Sequence, residues 1–210
     1  MKNQAAKTQA RTVDAKRKVL NCATKLVAEG GFEAAQMAVI SVASGVSIGS
    51  IYHHFGSKEG IFVELIRSAD EATRDRFAAL DLAGKSFDER LYQLIWATCL
   101  HVTCNSGLYH AMTARQNTAP EIWEPFLQLR ADNEVLMQEC LGPDLEAQGY
   151  RDVAMRIRMM HQAVIGILMH ATTYKSGPVM QGDRDLVDQV YDLARNVVLG
   201  QFNTRKKAND

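Results

Sequence analysis

The stretch GVSIGSIYHHFGSKEG, residues 45–60, admits two readings. Its first five residues have the G-x-S-x-G spacing of a hydrolase nucleophile elbow, which needs a strand entering the serine turn and a sheet beneath it. Alternatively Ser47 is an N-cap, its hydroxyl oxygen accepting from the backbone N–H of Gly49 or Ser50, a role worth about 1 kcal/mol. The flanking sequence favours the cap. Residues 37–43 read as a short helix, and the chain has no alternating Val/Ile/Thr runs from which to build a sheet. A small serine hydrolase using Ser47 is retained only as an alternative function.

On the helix after Ser47, Ile51 and Phe55 fall on one side with Ile48 and His54 at its margins, while Gly49, Tyr52 and His53 point away. Two turns burying so little are weak alone, so neighbours must hold them through the turn at Ala43, Ser44, Gly45 and Val46. Two short helices joined by a turn with glycine form a helix-turn-helix. Its small, polar and aromatic outer face suits the major groove of DNA, and Gly49 admits close backbone approach. Downstream, Ser57 is a good cap, but Lys58 sits where the helix dipole is already positive. A DNA phosphate at that N-terminus would explain the mismatch.

Outward from this stretch the pattern is helical throughout, and the fold class is all α with about nine helices. A first helix through Val19, Ala23 and Val27 ends at Gly30-Gly31, where Gly31 suits a left-handed cap. Ser86 with Glu89 and Thr118 with Glu121 match the capping box. Gly142-Pro143 is expected to close the second of those helices, and Ser176-Gly177-Pro178 another. Residues 1–60 carry eight basic against four acidic side chains in a chain of zero net charge, so a basic N-terminal end sits on an acidic body and suits a polyanion.

The 210 residues are 47% apolar and 23% charged, a soluble globular composition. The longest apolar run, residues 163–169, is far too short to span a bilayer, and no apolar segment follows the basic N-terminus as in a signal peptide, so a cytoplasmic protein without membrane contact is expected. Cys22, Cys99, Cys104 and Cys140 lack CxxC spacing and read as reduced core thiols.

Residues from about Val19 to Ile66 resemble the DNA-binding domain of the TetR family of bacterial transcriptional regulators, through Gly31-Phe32, Ile40, Ala43, Gly45-Val46-Ser47, Gly49-Ser50-Ile51-Tyr52, His54-Phe55 and Ser57-Lys58-Glu59. The resemblance implies a ligand-responsive DNA-binding regulator, a repressor released from double-stranded operator DNA by a small-molecule effector. It implies phosphate contacts by Tyr52, His53 and Lys58, with Ile48 and Ser50 near base edges. Gln36 would face the backbone on the other side of the groove, where the family often has paired threonines. The DNA-contacting set is thus Gln36, Ser47, Ile48, Gly49, Ser50, Tyr52, His53 and Lys58.

The rest resembles the family only in length and helicity. Residues 1–12 are expected to be a flexible basic arm, 13–60 the helix-turn-helix domain, 61–203 a ligand-binding and dimerisation domain, and 204–210 a flexible tail. The segment from Val153 to Ala171 is apolar on two faces, and the last helix has a broad stripe, which fits a four-helix interface between two copies. The expected homodimer residues are Val164, Gly166, Leu168, Leu193, Ala194 and Val197. The effector is placed near Trp96, Leu100, Tyr109, Met112, Trp123, Phe126, Met159 and His161, each of which also reads as ordinary core. No metal, cofactor or catalytic residue is assigned, since P-loop, G-x-G-x-x-G and H-E-x-x-H motifs are all missing. A thiol-based redox sensor using Cys99 and Cys104 is the other alternative.

Overall fold

The computed structural model describes residues 2–115, 122–173, 178–179, 182 and 185–200. Among these there are nine α-helices and no strand: α1 (Lys2–Ala34), α2 (Met37–Ser44), α3 (Ile48–Phe55), α4 (Lys58–Ala78), α5 (Phe87–Cys104), α6 (Ser106–Ala114), α7 (Trp123–Ala147), α8 (Val153–Thr173) and α9 (Leu186–Leu199). Two compact units result, Met1–Ala79 with His101–Ala131, and Leu80–Leu100 with Asp132–Asp210. The first unit therefore extends well beyond residue 60, taking in α4 and α6.

In the first unit α1 is the hub, packing on α2, α3, α4 and α6. Val19, Ala23 and Val27 lie on its buried face at helical spacing, and Phe32 meets Phe62 edge-on with ring centroids 5.0 Å apart. Ile40, Ile51, Ile61 and Ile66 complete this core. Helix α6 lies close on α1, since a Cβ at Gly107 would come 3.1 Å from Ala28 Cα. The expected flexible arm is instead helix from Lys2 onward, because its Ala, Lys, Gln and Arg residues favour helix and nothing breaks it before Gly31, where φ is 70°.

A buried polar network ties α4, α5 and α6 together within this unit. Thr73 Oγ1 donates to Ala69 O at 2.8 Å, so its contact with His101 Nδ1 requires the ring N–H to be the donor. Nε2 of that ring then accepts from the Tyr109 hydroxyl. Asn105 Nδ2 donates to His101 O at 2.8 Å.

In the second unit Leu91, Leu94, Ile95, Met137, Leu141, Leu145, Ile157 and Val190 form the core. The Ser86–Glu89 capping box is made: Glu89 Oε2 accepts from Ser86 N at 2.8 Å, and Ser86 Oγ accepts from Glu89 N at 3.3 Å. The Ser86 hydroxyl, donating to Glu89 Oε2 at 2.6 Å, and then the Ser86 N–H hold the Glu89 carboxyl below its ordinary range. The carbonyls of Val198 and Gly200 at the end of α9 accept from Arg156 at 3.1 and 2.6 Å. Pro143 does not end α7 as expected; the helix runs on to Ala147, with Leu141 and Leu145 fully buried on either side of the proline, and stops before Gly149 at φ 80°. The Thr118 capping box, Ser176-Gly177 and the tail 204–210 lie outside the described residues.

Three expected interface residues require correction. Val164, Leu168 and Ala194 are at most 1% exposed and pack inside their own unit, so they are unavailable to a second copy. Gly166 is exposed and Leu193 and Val197 are half-buried. The other apolar face of α8, with Met155 at 55% and Met159 at 41%, is the one left open. The thiols also divide: Cys99 is buried, Cys22 and Cys140 are half-buried, and Cys104 is exposed rather than core.

Candidate nucleic-acid interface

The turn before α3 is pinned from within. Gly45 takes the left-handed conformation (φ 68°, ψ 17°) and its N–H reaches Ser41 O at 3.0 Å. Ser41 Oγ donates to Val46 O at 2.8 Å, while Ser44 Oγ accepts from Val46 N at 3.3 Å. Ser47 then caps α3, its hydroxyl accepting from Ser50 N at 3.3 Å. With that oxygen turned to the backbone, and no strand among the described residues, the nucleophile-elbow geometry is missing. Ser47→Ala is expected to cost about 1 kcal/mol, read as a fall of about 2–4 °C in melting temperature.

Helix α3 is two-sided. Ile51 is fully buried, whereas Ile48 is 45% and Tyr52 50% exposed, and Gly49 and His53 face solvent beside them. A side chain at Gly49 would meet nothing within 4 Å, so the backbone there is open to a foreign surface. Ser50 is half-buried. His54, half-buried on the same helix, is held below its ordinary pKa by desolvation, then by His53 and Lys16, and so stays neutral. Gln36 precedes α2, exposed and making no cap bond, and so is available to a partner. Sequence reasoning did not single out Val42, whose 86% exposure adds an apolar contact on α2.

Lys58 departs from expectation. Its ammonium is not a bare cation at the start of α4: it lies 3.2 Å from Glu33 Oε2 and 4.1 Å from the centroid of the Phe32 ring, with the side chain only 18% exposed. Arg115, which follows α6, joins the same group, 2.6 Å from Glu33 Oε1 and 3.7 Å from the Phe32 centroid. Lys58 first and then Arg115 hold the Glu33 carboxyl below its ordinary range, so it is ionised at neutral pH.

The eight expected effector residues fall in both units. Tyr109, Phe126 and Trp123 are brought together in the first, with centroids 5.4 Å apart between Tyr109 and Phe126 and 5.5 Å between Phe126 and Trp123; Met112 is fully buried there. In the second, His161 is buried 3.4 Å from Glu134, Leu100 is half-buried, and Trp96 (42%) and Met159 (41%) are exposed. A cleft of about 250 Å³ opens within the first unit, lined by residues of α1, α4 and the α5–α6 corner, among them Leu20, Thr24, Leu65, Ala69, Asn105 and Leu108. None of the eight lines it, and every lining residue is uncharged. No three metal-ligating side chains converge among the described residues. Burial pushes the Cys99 thiol up to about 12, which leaves no thiolate for a redox sensor there.

Residues 19–65 match a family model described as bacterial regulatory proteins, tetR family. Over 60 residues the chain is 37% identical to the HTH-type transcriptional regulator UidR of Escherichia coli K12, covering 29% of this chain and 31% of that protein. Over 55 residues it is 40% identical to the HTH-type transcriptional repressor AcnR of Corynebacterium efficiens, covering 26% of this chain and 29% of the relative. These matches span less than a third of the curated relatives' length. A longer likeness is structural: FadR of Bacillus subtilis, solved in complex with stearoyl-CoA, superposes with a TM-score of 0.65 at 18% identity over 89% of this chain and 99% of that one. No helix among the described residues is long and apolar enough to cross a membrane.

Proposed function

We infer, from the match of residues 19–65 to the model of the TetR family of bacterial regulatory proteins, a homodimeric transcriptional repressor that grips double-stranded operator DNA with the outer face of α3 and releases it on binding a small molecule. The observation that carries this reading is the two-sidedness of α3: Ile51 anchors it while Ile48, Gly49, Tyr52 and His53 stand clear of the protein. A helix so presented fits the major groove, and two copies about 34–36 Å apart would enter successive grooves. The open apolar face of α8, with Gly166, Leu193 and Val197 accessible, supports pairing of two copies there. AcnR supports repression rather than activation, and FadR with its stearoyl-CoA supports an effector in the helical body. Such a protein works in the cytoplasm beside the chromosome and needs no catalytic group.

A band shift on DNA flanking the protein's own gene tests it. Wild type is expected to bind, with affinity falling roughly 10³-fold or more between 50 and 200 mM salt if six or more phosphates are neutralised. Tyr52→Ala should weaken binding about 10-fold while leaving the melting temperature unchanged, because the side chain packs on little of its own protein. Absence of any shift at 50 mM salt rejects the reading.

A further inference from the structure

We propose that Glu33 is an internal stand-in for an operator phosphate: its carboxylate holds Lys58 while the protein is off DNA and yields the ammonium to the backbone on binding. This rests on the DNA-binding reading above. A lysine opening a helix adds a cation where the dipole is already positive and calls for a counter-charge. Within the free protein that charge is Glu33 Oε2 at 3.2 Å, supplied from just after the Gly31 break of α1. A phosphodiester carries the same single negative charge as a carboxylate and competes for the same ammonium. Exchange is easy because the Glu33 side chain is 78% exposed, and pairs open to water are weak.

The carboxylate is shared. Its other oxygen, Oε1, takes Arg115 at 2.6 Å, and both cations lie over the Phe32 ring, at 4.1 and 3.7 Å. A bidentate-capable guanidinium at the shorter distance is the stronger competitor for Glu33, so Arg115 loosens the hold on Lys58. Arg115 follows directly on α6, and the position of that helix consequently sets how firmly the lysine is kept from DNA.

A mutant cycle on the full-length protein decides the matter, with band shifts on the same duplex at several salt concentrations and thermal melts to confirm folding. Glu33→Gln should bind about 5-fold tighter than wild type at each salt concentration, with the salt slope unchanged, because Lys58 reaches the same phosphate in both complexes. In a Lys58→Met background the same change should alter affinity less than about 2-fold. Glu29→Gln, which removes an equal charge from the same helix, should likewise have an effect below about 2-fold. Arg115→Gln should weaken binding with Glu33 present and have no effect in the Glu33→Gln background. An equal gain from Glu33→Gln with and without Lys58 would reduce the effect to net charge and overturn the proposal, as would no gain at all. If wild type binds no DNA, the reading beneath falls instead, and this inference with it.

Discussion

A Gly60→Ala protein is expected to melt about 6–12 °C below the wild type, a loss on the order of 3 kcal/mol or more, and to bind no DNA at the temperature where the wild type is fully active. Gly60 lies in the first turn of α4, its N–H donating to the Ser57 cap at 3.1 Å. A Cβ built there would stand 1.9 Å from the carbonyl oxygen of Phe55 and 3.1 Å from its carbonyl carbon. That obstacle is backbone at the end of α3, and no rotamer change removes it. The chain reverses through Gly56 at φ 72°, which brings the end of α3 over the start of α4. Relief means prying the two helices apart, which draws Ile51 away from the core it shares with Ile61 and Phe62. Gly49→Ala is the matched control: its Cβ meets nothing within 4 Å, and an interior helical alanine is favoured by up to about 1 kcal/mol over glycine. Urea or thermal unfolding of the two variants measures the contrast, and a Gly60→Ala protein melting no more than about 2 °C below wild type would mean the α3–α4 junction gives way easily to a methyl group.

The features legible in the sequence are those whose cause lies within a few residues. Ser47, Ser57 and Ser86 each cap the helix they precede, and Gly31 and Gly45 take positive φ where a helix must stop. The outward face of α3 follows from its own wheel, because a helix held only by Ile51 and Phe55 has one way to lie. Legibility ends where the cause is distant. Glu33 meets Lys58 across 25 residues and Arg115 across 82, and nothing in the local pattern distinguishes it from a solvated surface glutamate. Likewise Val164 and Leu168 read equally well as a face for a second copy or for the core of the same chain; in the fold both are buried within their own unit, where α8 also packs on α9. Pro143 shows the same limit in energy terms, since burying Leu141 and Leu145 outweighs a helix breaker that sequence rules would obey.

Acidification from pH 6.5 to about 4 is expected to remove about 3 kcal/mol of stability through His101 alone. The ring is 3% exposed and burial, followed by the nearby positive charge of Arg76, pushes its pKa from 6.5 down to about 4. Between those values the unfolded chain holds the proton and the folded one does not, so the contribution is complete above 6.5, declines as pH falls, and is exhausted near 4. A proton added at Nε2 would meet the Tyr109 hydroxyl that now donates to that atom, while Nδ1–H remains committed to Thr73. Buried Asp70 lies near enough to raise the Tyr109 pKa further than burial alone does, so the hydroxyl stays protonated throughout this range. His54 is shifted in the same direction, and Glu33 and Asp88, held low by their ion pairs, add their own losses only as they titrate at lower pH. The window from about 6.5 to 5 therefore belongs chiefly to the histidines. Urea unfolding across it should give a slope near 1.4 kcal/mol per pH unit for the His101 share, and His101→Gln, though less stable at pH 7, should lose that share of the slope. An unchanged slope in His101→Gln would show that the proton goes elsewhere, and the burial-lowered pKa of His101 would have to be abandoned.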